Sequence, residues 1–143
     1  FGPRMRPHDG RAIPTFIRQA LRGEELTVAG DGSQTRSVCF VDDLVRGILA
    51  LAESGHAGPM NIGNPNELEV LRIASDVIEV VGSSSRIRYI DRPVDDPQVR
   101  RPDTALAAEA LGWKPTVSWR DGLRRTVEWF RTRTPQELSA PSA

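Results

Sequence analysis

Two arginine-bearing stretches, QTRSVCFVDDL over 34–44 and DDPQVRRPD over 95–103, hold the residues of this chain best suited to chemistry. A guanidinium makes paired, charge-assisted bonds to phosphate. Arg36 from the first stretch, with Arg100 or Arg101 from the second, would therefore grip one doubly charged phosphate group if the fold brings them together. A single arginine in a turn is ordinarily a solvated charge, so convergence is what would make these residues functional. Other reactive types point elsewhere. Asp42 and Asp43 are adjacent and suit helix capping better than a carboxylate dyad, because neighbours in sequence need not face each other. Cys39 lies in an apolar stretch, where an inert buried thiol is expected. Trp113, Trp119 and Trp129 read as packing residues.

Composition narrows the classes. At 143 residues one domain with a real core is the expectation. Lys plus Arg and Asp plus Glu balance at 19 each, so no global field draws the chain to nucleic acid or to an anionic membrane, and any anion site must be local. Lys114 is the sole lysine. One cysteine and two isolated histidines, His8 and His56, offer neither an internal disulfide nor a metal cluster, and a reducing, cytoplasmic setting is the expectation. No window reaches the roughly eighteen apolar residues of a membrane span. The chain opens on Phe1 with no initiator Met, and reads as the back part of a larger protein.

The elements that must position the arginines alternate. Ile13, Phe16, Ile17, Ala20 and Leu21 at helical spacing predict a helix over 12–22, stopped by Gly23. Short strands are predicted over 26–28 and 38–41, separated by the Gly30–Asp31–Gly32–Ser33 turn. Asp42 or Asp43 would cap a helix whose buried stripe is Leu44, Ile48, Leu49 and Leu51. A strand over 59–62, a helix over 70–81 and a strand over 86–90 follow. The stretch 91–102, with three prolines, predicts an extended loop. A helix capped by Asp103 or Thr104 runs to Leu111, and an amphipathic helix covers 119–131. Residues 1–133 would form one lobe and 134–143 a disordered tail. The pattern is a small α/β fold, not a complete doubly wound nucleotide fold, since neither GxxGxxG nor GxGxxG occurs.

Four segments carry a resemblance: residues 1–48 including GDGSQTRSVCFVDDLV, then GPMNIGNPNELEVLRIA, DDPQVRRPDTALAAEALGWKP and SWRDGLRRTVEWF. Together they resemble the C-terminal part of the extended short-chain dehydrogenase/reductase family of NAD-dependent nucleotide-sugar epimerases and dehydratases, and within it the UDP-glucuronate decarboxylase branch. GDGSQTRSVCFVDDLV is shared in outline across the family. NIGNPNE, DDPQVRRPD and LGWKP are particular to the branch, since epimerases carry an extra Gly where Pro102 here meets Asp103 directly. The resemblance implies a substrate-binding lobe that lacks the Rossmann NAD-binding part, from an enzyme in which bound NAD oxidises C4 of the sugar, carbon dioxide leaves and the hydride returns. It implies UDP-sugar as ligand, Arg36 on the diphosphate, Arg100 or Arg101 beside it with Arg100 favoured, Phe16, Val28 and Ala29 lining the base, and Arg6 and Arg11 near NAD. The family's aromatic residue before Gly30 is replaced by Ala29, which removes a stacking contact worth about 1 kcal/mol. The catalytic Tyr and Lys of YxxxK fall upstream: Tyr89 is the sole tyrosine and position 93 is Pro. The resemblance therefore implies no catalytic residue in this chain, an inactive fragment, and a homodimeric parent with no nucleic-acid or membrane partner. A 4-epimerase or a 4,6-dehydratase is the alternative within the family, and a non-catalytic sugar-nucleotide-binding module the alternative outside it.

Overall fold

A computed structural model describes residues 1–139. Three helices form its centre: α1 (Ala12–Leu21), α3 (Val70–Val81) and α5 (Trp119–Arg131). Each presents apolar residues at three- and four-residue spacing, Ile13, Phe16, Ile17 and Ala20 on α1, Val70, Ile73, Ala74 and Val77 on α3, Leu123, Val127 and Phe130 on α5, and these meet in one core. Full burial of side chains such as Ile17 or Phe130 stabilises by about 1.5–3 kcal/mol each. Ser118 caps α5, its hydroxyl accepting from the Asp121 amide at 3.1 Å.

The strands form two small sheets. β1 (Leu26–Ala29) pairs in parallel with β4 (Ile87–Ile90), Leu26 opposite Ile87. Leu26 and Val28 point into the helical core, and Thr27 and Ala29 point away, as the two-residue period requires. The second sheet has the order β3-β2-β5. Its centre, β2 (Thr35–Ser37), runs antiparallel to β3 (Glu67–Glu69) and parallel to β5 (Val99–Arg100). Gly32, at φ +78°, makes the turn between β1 and β2, and a Cβ there would lie 2.8 Å from Leu71 Cβ.

Helix α2 (Val41–Glu53), the short α4 (Ala105–Leu111) and α6 (Pro135–Ser139) complete the fold. Phe1 is bonded into it: its amino group donates to Cys39 O at 2.7 Å, its carbonyl accepts from Val41 N at 2.8 Å, and its ring packs on Phe40 and Trp119. Burial pushes that amino group's pKa down.

Several expectations are corrected. Residues 38–41 are not a strand; pairing with β3 and β5 shifts the strand to Thr35–Ser37. Residues 59–62 carry no strand either, because among the described residues no strand pairs with them. The loop over 91–102 contains β5. Neither Asp42 nor Asp43 caps α2, whose N-cap is Phe40. Asp43 is buried, accepting from the amides of Thr116 and Val117 at 2.9 and 2.8 Å, while Asp42 pairs with Arg125 at 2.6 Å. Of the expected α2 stripe, Ile48 and Leu49 face outward, 52% and 57% exposed, while Leu44 and Leu51 are half-buried; Val45 is exposed beside them. Gly47 faces inward instead, against the ring of Trp113. The expected tail is ordered as α6 over Pro135–Ser139, where Leu138 packs on the core; residues 140–143 lie outside the described residues.

Candidate functional site

Strand register brings the distant arginines together. Arg36 at the middle of β2 lies opposite Arg100 on β5, so the two side chains leave the sheet on the same side. Arg101, one residue on, is turned the other way and pairs with Glu67 at 3.2 Å, its side chain 59% exposed. The structure thereby separates two neighbours that sequence alone left in balance.

Arg36 and Arg100 share a cavity of about 480 Å³, whose wall also includes Met5, Arg11, Ser37 and Ile73. Arg36 is also in the wall of a second cavity of about 350 Å³, with Thr15, Phe16, Ala29, Gln34 and Asp96. The first has three arginines in its wall and the second is largely apolar, and Arg36 lines both.

Arg36 is held firmly. Its Nη1 donates to Thr35 O at 2.6 Å and to Pro97 O at 2.9 Å, and its Nη2 pairs with the carboxylate of Asp96. Its Nε makes no hydrogen bond among the described residues. The Arg100 side chain is exposed and makes neither a hydrogen bond nor an ion pair there, so its charge beside Arg36 is open to an anion in the shared cavity.

The remaining expected residues divide. Phe16 and Ala29 line the apolar cavity, whereas Val28 is turned into the core by strand alternation and its side chain lines neither cavity. Arg11 lines the charged cavity and pairs loosely with Asp9 at 3.4 Å. Arg6 is exposed and lines neither. Burial, with Asp43 nearby, pushes the Cys39 thiol pKa up, which disfavours the reactive thiolate.

Sequence reasoning missed four residues. Gln34 is buried and donates from Nε2 to Ala29 O at 2.9 Å, leaving its Oε1 buried without a partner; the Ser37 hydroxyl is likewise unpartnered. Buried polar atoms are nearly always bonded, and these two exceptions belong to residues in the walls of the two cavities. Asp96 pairs with Arg36, and Arg92 pairs with Asp96. The signal available was their place in the motifs themselves, Gln34 and Ser37 flanking Arg36 and Asp96 preceding Arg100.

Comparison with known proteins adds to the geometry. Residues 1–63 match the model of the NAD dependent epimerase/dehydratase family. UDP-glucuronic acid decarboxylase 3 of Arabidopsis thaliana is 47% identical over 133 residues, which are 93% of this chain and 39% of that protein. UDP-glucuronic acid decarboxylase 1 of Xenopus tropicalis is 46% identical over 131 residues, 92% of this chain and 31% of its own length. Among solved structures, UDP-glucose 4-epimerase of Thermotoga maritima with UDP-glucose superposes with a TM-score of 0.87 at 35% identity, over 92% of this chain and 43% of that one. UDP-glucuronic acid 4-epimerase of Bacillus cereus, in complex with UDP-glucuronic acid and NAD, superposes at 0.84 with 31% identity, over 92% and 42%. The chain thus spans well under half the length of these relatives.

Proposed function

We propose that this chain is the nucleotide-sugar-holding part of a UDP-glucuronate decarboxylase of the NAD dependent epimerase/dehydratase family, one that forms UDP-xylose. One observation carries the reading at the level of the site: β2 and β5 set Arg36 and Arg100 side by side in one cavity, adjoining an apolar cavity with Phe16 and Ala29 in its wall. The diphosphate would lie against the two guanidiniums and the uracil in the apolar compartment beside Phe16 and Ala29. Holding the nucleotide there orients the distant sugar for reaction, so binding energy far from the reacting carbon lowers the barrier at it. The branch is favoured over a 4-epimerase by the decarboxylase relatives and by Pro102 running directly into Asp103.

NAD would supply the oxidation at C4 and the return of the hydride. It would be held chiefly by the rest of the polypeptide. Arg11, exposed at the wall of the charged cavity, fits a contact to its phosphates, and Arg6, exposed on the same loop, would reach them from outside the two cavities. The family's Tyr and Lys would come from the same missing part, so this chain alone would be inactive, and the parent a homodimer. The outward apolar face of α2 offers a surface on which that part would pack.

Titration calorimetry with UDP tests the site. Arg36→Ala should weaken binding by about 1–3 kcal/mol, and an unchanged Kd would remove Arg36 from it. The reaction is tested on protein extended to the relatives' length: UDP-glucuronate with NAD should yield UDP-xylose and carbon dioxide, whereas UDP-galacturonate alone would assign a 4-epimerase.

A further inference from the structure

The anion bonded to Arg36 in this structure belongs to the protein itself. Asp96 sits between two guanidiniums, one oxygen paired with Arg36 Nη2 and the other 3.3 Å from Arg92 Nε. Arg92 also donates from Nη2 to the Asp96 carbonyl at 2.8 Å and from Nη1 to Gln98 Oε1 at 2.6 Å, and the Asp96 amide donates to Pro93 O at 3.2 Å. The carboxylate is thus fixed by its own loop as well as by its cations.

We propose that Asp96 is a positioning residue for diphosphate binding, a role that rests on the reading of Arg36 as a phosphate ligand. A guanidinium has five donors. Nη1 gives its two to Thr35 O and Pro97 O, and Nη2 gives one to Asp96, which leaves Nε–H and one Nη2–H uncommitted. Two donors suffice for a forked bond to phosphate. A free arginine side chain would lose rotamer freedom on binding, and Asp96 removes that loss in advance. Arg92 supports the arrangement twice over, by holding Asp96 and by offsetting the repulsion between its carboxylate and an incoming phosphate.

The alternative is that Asp96 merely occupies the place of the phosphate and must be displaced. The two readings predict opposite signs. Calorimetry on this chain with UDP and with uridine, which has no phosphate, separates them. Asp96→Ala should weaken UDP binding about tenfold and uridine by clearly less, the remainder reflecting its place in the wall of the base cavity, and Asp96→Glu should recover part of the loss. Arg92→Ala should act in the same direction more weakly, and it carries the test if Asp96→Ala fails to fold by circular dichroism. If Arg36→Ala leaves UDP affinity unaltered, the phosphate reading of the site fails. If Arg36→Ala weakens UDP but Asp96→Ala tightens it or leaves it unchanged, the positioning role is overturned. It is overturned equally if Asp96→Ala weakens uridine as much as UDP.

Discussion

Arg100 and Arg101 are identical in chemistry, and only the two-residue period of a strand gives them different surroundings. Arg100 shares the cavity with Arg36, while Arg101 meets Glu67 on the other side. Arg100→Ala should therefore weaken UDP binding by about 1 kcal/mol or more. Arg101→Ala should leave it within about twofold and cost less than about 1 kcal/mol of stability, the ordinary worth of an exposed ion pair. Calorimetry and urea denaturation check both. Asp43 is a buried carboxylate whose ionisation bears on the fold. Burial alone would raise its pKa, but the Val117 amide, the Arg46 guanidinium and the Thr116 hydroxyl and amide outweigh that and hold it below the usual carboxylate value. A lowered folded value means stabilisation fully present above the unfolded pKa of about 4 and lost as pH falls through the folded one. Asp43→Asn should cost about 2–4 kcal/mol at neutral pH, with wild-type and variant urea curves converging in acid; a gap independent of pH would mean the charge contributes nothing.

Among the elements, α2 departs furthest from its sequence pattern. Its apolar residues repeat as a buried helix's should, yet Val45, Ile48 and Leu49 face outward, Val45 and Leu49 along a groove of about 540 Å³ that also includes Asp42, Arg46 and Glu53. Helical spacing states which residues share a face and nothing about what covers that face. In this chain Ile48→Ser and Leu49→Ser should each change stability by less than about 0.5 kcal/mol. Leu123→Ala on α5, whose residue is fully buried, should cost about 2–5 kcal/mol. Denaturation midpoints decide it, and a large cost at Ile48 would show that this face is already packed. α1, α3 and α5 were legible almost to the residue, because their apolar stripes meet one another across the core.

At the scale of the whole molecule, the two ends of the described chain close on one core. Phe1 packs on Phe40 and Trp119, Leu138 is buried from the opposite terminus, and His8 Nε2 lies 2.8 Å from Leu138 O. The polar composition of 134–143 suggested disorder, but one well-placed leucine suffices to dock a short helix. Leu138→Ala should accordingly lower stability by about 2 kcal/mol in urea denaturation, and no change would return the segment to the tail it was expected to be. Among the described residues no helix is long and apolar enough to cross a membrane, and the balanced charge leaves recognition to local sites such as Arg36 and Arg100.

Read alone, the amino-acid sequence determined the α/β class, the three core helices, the family likeness and the candidacy of Arg36, since periodicity and motif are properties of the chain. Tertiary structure alone decided that Arg100 and not Arg101 shares a cavity with Arg36, that Val28 belongs to the core, that Ile48 and Leu49 of α2 face outward and that Asp96, itself paired with Arg92, holds the Arg36 guanidinium. Each of these depends on which strand pairs with which and in what register. That choice is made by contacts between residues far apart in sequence, and no local pattern encodes it.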